Sequence, residues 1–246
     1  TDYVAWQAES LAGADGERLW AYWRDRLHGP RPALSLPTDR PRPALSSFRG
    51  ASVALQLDAA STARVRELSR ELGATPFVLL LATFQAFLHA LTGSPDIVVG
   101  TPAFARNKPE YLAIVGDFVN SVPLAAHLEP TLRFRDLVAQ LRTTVLWALD
   151  AQDYPLPLLV QRLQPERESG RSPLFDTFFA LQRFDQFRDL ERLLVGAESD
   201  ETQDFGGLRL SPWPLDQQEG QFDLALQMME QGGRLHGVLK YSTDLF

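Results

Sequence analysis

The chain has 246 residues, of which 45% are hydrophobic and 22% are charged, and its formal net charge at pH 7 is −7. This composition is typical of a globular protein with a sizeable core, and the length allows one large domain or two small ones. The negative charge argues against general affinity for nucleic acid or anionic membranes, and the absence of cysteine excludes disulfides, thiolate zinc sites and cysteine nucleophiles.

The first ten residues carry no targeting signal. They read TDYVAWQAES, without the positive charge and apolar block of a signal peptide, and no apolar run in the chain reaches ~18 residues. We therefore expect a cytoplasmic protein that does not enter the membrane. Because the chain starts without methionine, we also expect it to be a fragment of a longer protein.

A helix and then a connector are predicted next. Apolar residues recur at helical spacing within Glu17–His28, and Gly29-Pro30 ends this helix. Prolines recur through Gly29–Phe48, which predicts a stiff, extended connector rather than a helix or a central strand. A proline-rich recognition ligand is the alternative interpretation of this segment.

Strand and helix patterns alternate after the connector. Residues 52–58 alternate as a strand does, and residues 65–72 have the apolar spacing of a helix. The helix Phe77–Leu91 is apolar nearly all round, so we expect it to be buried between layers. The continuous apolar run Asp96–Phe104 predicts a fully buried strand.

The stretch AIVGDFVNSVPLAAHL (Ala113–Leu128) predicts the next strand, although two polar residues lie at its centre. Asn120 would share one face with apolar neighbours, and Ser121 would lie on the opposite face. An unpaired buried amide costs roughly 1–3 kcal/mol, so Asn120 needs either a partner within the core or a ligand.

Two helices and four strands complete the pattern. The helix Arg133–Leu149 is amphipathic, with Phe134 and Leu149 among the residues expected to face inward, and a short helix is predicted over Pro157–Leu163. The later strands are LFDTFFALQ, LRLSPW, FDLALQMM and LHGVLKY, the last two joined by a turn at EQGGR. The whole pattern predicts an α/β fold with a two-layer mixed sheet and packed helices.

No catalytic motif is complete in this sequence. The four histidines are scattered, so no metal site is expected, and the glycines form neither a dinucleotide-binding fingerprint nor a phosphate-binding loop. No serine lies in a nucleophile elbow.

Several segments nevertheless resemble, in order, the motifs of a single protein family. The N-terminal part contains DYVAWQ, YWRDRL and LSLPTDRPRP, and the middle contains DIVVGTPAFAR, VGDFVNSVPL and AQDYPLP. The remainder contains RESGRSPLF, FDLALQ and YSTDLF. Together these resemble the second half of the condensation domains of nonribosomal peptide synthetases. The stretch PLLVQRLQPER resembles the condensation domains of hybrid polyketide–peptide assembly lines.

The resemblance implies a fold, a reaction and a set of partners. Condensation domains consist of two lobes that each resemble chloramphenicol acetyltransferase, a CoA-dependent acyltransferase. They join a donor acyl or peptidyl thioester to the amine of an acceptor aminoacyl thioester, and both substrates are tethered to carrier proteins by phosphopantetheine. The partners would be the N-terminal lobe, the donor and acceptor carrier proteins and neighbouring synthetase domains, with no cofactor bound directly.

The family's catalytic motif HHxxxDG is missing from this sequence, so the resemblance implies the C-terminal lobe alone. Residues 1–47 would be the lobe boundary and connector, and residues 48–246 the lobe itself. We expect this lobe to have no catalytic residue and to be inactive alone. A non-catalytic module that binds a carrier protein or an acyl chain, and an ester-forming variant, are the alternatives.

The resemblance also assigns residues to sites. Arg106 would pair with the aspartate of the missing motif across the lobe interface, where the alternative is an exposed loop arginine. Phe118, Asn120 and Ser121 would line the substrate tunnel, where the alternative for the polar pair is to satisfy backbone groups at a strand edge. Asp153 and Tyr154 would be structural residues near the interface.

The last matches depart from the family pattern. Ala151 and Pro157 replace the family's histidine and glutamate around QDYP, so neither can take part in chemistry. Arg171 and Ser172 match the family's Arg-Asn pair as a second part of the tunnel wall, and a surface ion pair is the alternative for Arg171. The segment Asp204–Phe222 would contain a latch that covers the other lobe, and we expect it not to be ordered against its own lobe.

Overall fold

A computed structural model describes residues 2–29, 33–104, 106, 109–111, 113–165, 168–182, 202–211, 219–231 and 233–246. The helices are α1 (Asp2–Ala12), α2 (Ala14–Leu27), α3 (Ala59–Glu71), α4 (Pro76–Thr92), α5 (Phe134–Asp150) and α6 (Leu156–Leu163), with a 3₁₀ turn at Pro109–Tyr111. The strands are β1 (Gly50–Gln56), β2 (Asp96–Phe104), β3 (Val119–His127), β4 (Thr177–Gln182), β5 (Gln203–Phe205), β6 (Leu208–Leu210), β7 (Leu224–Gln231) and β8 (Arg234–Ser242).

Six of these strands form one mixed sheet in the order β1-β8-β7-β4-β2-β3. The pairs β7–β4 and β4–β2 are parallel, and the other pairs are antiparallel. Pro123 lies on β3, at the edge of the sheet, where a residue without an N–H is tolerated. The predicted mixed α/β sheet is confirmed.

Local sequence signals explain where the elements begin and end. The hydroxyl of Thr75 accepts a hydrogen bond from the Val78 amide (3.3 Å), and Gly93 ends α4 with φ +68°. The predicted turn between β7 and β8 is confirmed, with Gln231 opposite Arg234. The strand expected to begin at Leu174 begins only at Thr177.

Helices α3, α4 and α5 pack on one face of the sheet. Phe77 and Phe84 of α4 contact the ring of Phe179 on β4, with centroids 5.3 and 6.1 Å apart. Leu81 and Leu88 of α4 are fully buried. This face of the sheet and the helices on it form the main core.

Two expectations about the helices need correction, and one helix was missed. α4 is not buried all round, because Phe87 is 46% and Leu91 42% exposed. On α5, Phe134 and Leu149 are also exposed, since the inward stripe runs through Leu137, Val138, Leu141, Thr144, Val145 and Ala148. Helix α1 was not predicted, and it buries none of its residues.

The opposite face of the sheet carries a smaller apolar cluster. Phe175 and Phe178 pack there with Phe222, and Leu156 of α6 packs against them. Gly100 on β2 makes this possible, because a Cβ at that position would lie 2.2 Å from the ring of Phe175. Helix α6 in turn contacts α2.

The connector has no helix or strand over its described residues 33–47, as predicted. It is held by its polar groups, and the amides of Asp39 and Arg40 both donate to the carbonyl of Leu245 (2.9 and 3.1 Å). The domain boundary at residue 47 stays a prediction, although Leu19 and Trp23 on its N-terminal side belong to the main core.

No single described helix is long and apolar enough to cross a membrane. Helices α3 and α4 pass that test only as a pair, and they are bent by 101° relative to each other.

Candidate functional site

The sheet register separates the expected site residues into two groups. Phe104, the last residue of β2, pairs with Val119, the first residue of β3, so the loop between them lies at this end of β2. Strand β4 is parallel to β2 with Phe178 beside Gly100, so the residues that precede β4 lie near the opposite end of β2. We call the first group the loop site (Arg106, Phe118, Asn120, Asp153 and Tyr154) and the second the ion-pair site (Arg42, Arg171, Asp176 and Asp223).

Arg106 organises the loop between β2 and β3. Its guanidinium donates to the carbonyls of Tyr111, Ile114 (2.8 Å) and Gly116 (2.9 Å). Its Cζ atom also lies 4.2 Å from the centroid of the Phe118 ring, a cation–π distance. Arg106 is therefore engaged by the loop that follows it in the chain, and its expected pairing across a lobe interface stays a prediction.

Aromatic rings join α1 to this loop. Tyr3 lies 4.4 Å from Phe118 and 5.4 Å from Tyr111, and Trp6 lies 5.7 Å from Tyr111, measured between ring centroids. Burial raises the pKa of the Tyr3 hydroxyl, and the carboxylate of Asp153 raises it further. The N-terminal helix is thus attached to the loop site mainly by ring contacts.

The amide of Asn120 is used by the chain's own backbone. Nδ2 donates to the carbonyls of Gln152 and Tyr154 (2.8 Å each), and Oδ1 accepts from the amide of Leu156 (3.1 Å). These bonds match the alternative interpretation, in which Asn120 satisfies backbone groups at a strand edge. A role of Asn120 in a tunnel wall stays a prediction.

The turn that Asn120 holds is also bound from the N-terminal segment. The indole nitrogen of Trp23 donates to the carbonyl of Ala151 (3.0 Å). Tyr154 is buried, its ring lies 6.2 Å from that of Trp20, and its hydroxyl accepts from Arg162 (3.2 Å). Side chains from α2, β3 and α6 therefore fix the turn that carries Asp153 and Tyr154.

Ser121 lies on the face of β3 opposite to Asn120, as predicted from the period of a strand. Apolar residues that remain exposed surround this end of the sheet, since Phe104 is 68%, Val115 100% and Val119 49% exposed. Phe104 and Val119 pair in register and share the face of Ser121. This face offers apolar surface and one hydroxyl.

The ion-pair site binds three chain segments together. The guanidinium of Arg42 contacts both carboxylate oxygens of Asp223, with Nη1 to Oδ1 at 2.9 Å. Arg171 donates to Asp176 (2.7 Å), whose other oxygen accepts from the amide of Ser172 (3.1 Å). The hydrogen bond to Asp223 raises the pKa of Arg42.

Both carboxylates of this site are nearly inaccessible, at 8% exposure for Asp176 and 6% for Asp223. Burial raises the pKa of Asp176, and the charge of Asp223 adds to this, while Arg171 and Arg42 oppose it. Arg171 is therefore part of a mostly buried ion pair with Asp176, and its role in a tunnel wall stays a prediction.

The expected latch is described only in part. Within it, β5 and β6 form a hairpin that is a separate two-stranded sheet, and Leu208 is 66% exposed. The expectation is wrong for residues 219–222, because Glu219 pairs with Arg49 and the Phe222 ring stacks on that of Phe178. Residues 212–218 lie outside the described residues, so the prediction for them stays a prediction.

Sequence reasoning missed Arg42, Asp176, Asp223 and Trp23. The sequence held a signal for two of them. Arg42 lies in an R-P-R-P run and Asp223 lies at the start of an apolar strand, and charged residues are unusual at both positions. Within the described part of the chain, no group of three His, Asp or Glu side chains is placed to hold a metal ion.

The six-stranded mixed sheet with helices packed on it agrees with the acyltransferase-like fold that the resemblance implies. The chain belongs to the condensation-domain family, because the model of that family matches residues 1–246. The family predicted from the sequence motifs is thereby confirmed.

Known proteins show the same likeness. Malpinin synthetase from Mortierella alpina is 37% identical over 245 residues, which is 100% of this chain and 3% of that protein. A four-domain nonribosomal peptide synthetase bound to AMP and glycine superposes with a TM-score of 0.89 at 28% identity, over 94% of this chain and 18% of the other. The X-domain from teicoplanin biosynthesis superposes with a TM-score of 0.82 at 27% identity, over 100% of this chain and 54% of the X-domain. The chain therefore spans a small part of the synthetases and about half of the X-domain.

Proposed function

We propose that this chain is the C-terminal lobe of a condensation domain and forms one wall of a tunnel in which an amide bond is made. In that reaction the acceptor amine attacks the donor thioester carbonyl, the C–S bond breaks, the thiol leaves and the amine loses a proton. The observation that carries the proposal is the convergence of three separate family motifs at the loop site. Arg106, Asn120 and the Asp153-Tyr154 turn come from GTPAFAR, GDFVN and QDYP.

In this proposal the lobe positions substrates and supplies no catalytic base. Holding two tethered reactants in a reactive geometry lowers the barrier by roughly 7–11 kcal/mol at the best-oriented limit. Ser121, with Phe104 and Val119 beside it, faces the tethered substrates. Asn120 acts indirectly, because it holds the neighbouring turn.

The proposal extends to partners and location. Phosphopantetheine arms of a donor and an acceptor carrier protein would enter the tunnel, and an N-terminal lobe with HHxxxDG would form the opposite wall. Three exposed apolar residues beside the loop site, Phe104, Val115 and Val119, would offer such a wall a surface to pack on. We place the assembly in the cytoplasm.

The test joins this chain to its upstream lobe and measures single-turnover condensation with loaded carrier proteins. We expect Ser121→Ala, Asn120→Ala and Arg106→Ala to lower the rate by at least about tenfold, a loss of about 1.4 kcal/mol in transition-state stabilisation. Arg64→Ala on the exposed surface of α3 is the matched control and should leave the rate unchanged. Full activity of this chain without the upstream lobe would overturn the proposal.

A second candidate is a non-catalytic module that recruits another protein. The X-domain from teicoplanin biosynthesis has been solved in complex with OxyB, and that structure superposes on this chain with a TM-score of 0.82 at 26% identity. The residues upstream of Thr1 discriminate, since an intact HHxxxDG favours condensation and a degenerate version favours recruitment. Offering an amine and a hydroxyl acceptor in the same assay separates amide formation from the ester-forming variant.

A further inference from the structure

The connector is fixed by two arginines of its R-P-R-P run. Arg40 donates to the carbonyls of Thr243 and Phe246 (2.7 Å for the latter), near the end of β8. Arg42 pairs with Asp223, directly before β7. Because the end of β8 and the start of β7 are paired neighbours, the two arginines fasten the connector to the same end of the sheet.

Arg42 also holds the loop that precedes β4. Its Nη1 atom donates to the carbonyl of Gly170 (3.0 Å). Gly170 has φ +74°, and a Cβ there would lie 2.4 Å from the backbone oxygen of Pro43. The connector thus packs on Gly170 so closely that only glycine fits, and Arg42 adds a directed bond at the same contact.

The loop held in this way carries Arg171 and Ser172. Two cavities, of about 670 and 430 Å³, share Arg171, Ser172 and Asp176 in their walls. The connector contributes to both, with Leu34 in the larger and Arg42 in the smaller. The connector therefore forms part of the lining of both cavities.

The Arg42–Asp223 pair is much less exposed than the surface ion pairs, so it can fix the position of the connector. The two side chains are 19% and 8% exposed, compared with 58% and 54% for Arg64 and Glu67 on α3. Two parallel N–H···O bonds to a buried carboxylate fix direction as well as distance. A lysine would keep the charge without the fork.

We propose that Arg42 is a positioning residue, which locks the connector onto Gly170 and Asp223. It thereby holds Arg171 and Ser172, the second part of the proposed tunnel wall, in the lining that the two cavities share. This deepens the proposed function and rests on it for the nature of the substrate, a tethered acyl or aminoacyl group. Its structural part, a lock between the connector and the 168–172 loop, can be measured without any activity.

The first measurement is amide hydrogen exchange in this chain. We expect Arg42→Gln to speed exchange of the Asp39, Arg40 and Ser172 amides by at least about tenfold, while the amides of α4 remain protected. Gly170→Ala should do the same through the clash with Pro43, and Arg42→Lys should have an intermediate effect. Arg64→Gln is the matched control and should change none of these amides.

The lock also requires that Arg42→Gln and Asp223→Asn act through the same contact. Their combined effect on exchange should therefore be less than the sum of the single effects, as a double-mutant cycle tests. Unchanged exchange at these three amides in both Arg42→Gln and Gly170→Ala would overturn the lock, and so would full additivity of Arg42→Gln and Asp223→Asn.

The second measurement is condensation by the chain joined to its upstream lobe. A positioning role predicts that Arg42→Gln lowers kcat by at least about tenfold. The kcat of Arg42→Lys should lie between that of Arg42→Gln and that of the unsubstituted protein. An unchanged kcat with faster exchange would overturn the positioning role. If the unsubstituted protein does not condense at all, the proposed function fails while the exchange result still decides the lock.

Discussion

Replacing Asn120 with alanine removes three hydrogen bonds between β3 and the turn that joins α5 to α6. The lost partners are the carbonyls of Gln152 and Tyr154 and the amide of Leu156. A hydrogen bond of this kind contributes about 0.5–1.5 kcal/mol net, which gives roughly 1.5–4.5 kcal/mol for three. Because the site is half-buried, water replaces part of the loss, and we expect a destabilisation of about 2–3 kcal/mol.

Urea unfolding of the chain measures this change, and exchange of the Leu156 amide shows whether the turn itself is loosened. Asn120→Asp is a sharper version of the test. It keeps an acceptor for Leu156 but sets a negative charge against two carbonyls, so it should destabilise more than Asn120→Ala. Ser121→Ala, one residue away on the opposite face, is the control and should stay within about 0.5 kcal/mol.

A loss below about 0.5 kcal/mol for Asn120→Ala, with unchanged exchange at Leu156, would refute this reasoning. Asn120 would then be available to a ligand, as the tunnel interpretation requires. A large loss of stability in the chain alone would instead show that Asn120→Ala reduces condensation by loosening the turn between α5 and α6.

Three further predictions follow from single contacts. Arg106→Lys keeps the charge but loses the planar guanidinium that donates to three carbonyls. Hydrogen exchange of the Ile114 amide in this loop should therefore speed up about tenfold, and unchanged exchange would contradict the role assigned to Arg106. Gly100→Ala should destabilise by about 1–3 kcal/mol in urea unfolding because its Cβ meets the Phe175 ring, and adding Phe175→Leu should restore part of the loss, whereas no restoration would contradict the clash. The backbone amide of Ser61 lowers the pKa of the Asp58 carboxyl, the N-cap of α3, so this stabilisation is present above the unfolded value of 3.8 and is lost as the pH falls through the folded value. Urea midpoints should therefore fall more on acidification in the wild type than in Asp58→Asn, which caps without a charge, and parallel pH profiles would exclude the effect.

Local sequence determined most of the regular structure. The apolar run Asp96–Phe104 was predicted with the bounds that β2 has, and the helix predicted over Phe77–Leu91 differs from α4 by one residue at each end. Such segments are predictable because the period of apolar residues and the capping residues act between neighbours in the chain. The family could also be predicted from the sequence, since its motifs are short segments that occur here in the family's order.

Side-chain direction at the loop site was only partly predictable. The strand period correctly separated Asn120 from Ser121, but it could not show that the turn after α5 folds back to meet Asn120. Arg106 is a similar case, because its carbonyl partners lie on the loop that follows it and depend on how that loop closes. Helix α1 was missed, although its half-buried residues Tyr3, Trp6 and Leu11 recur at helical spacing.

The amino-acid sequence by itself determined most of the strands and helices, the family and the absence of the HHxxxDG motif. Only the tertiary structure decided which polar groups meet. Arg42 and Asp223 are 181 residues apart in the chain, and Asn120 and Tyr154 are 34 apart. No local pattern encodes such pairs, because the partners are brought together by strand order and sheet register. Burial then makes each charge or amide depend on the few partners that the fold provides.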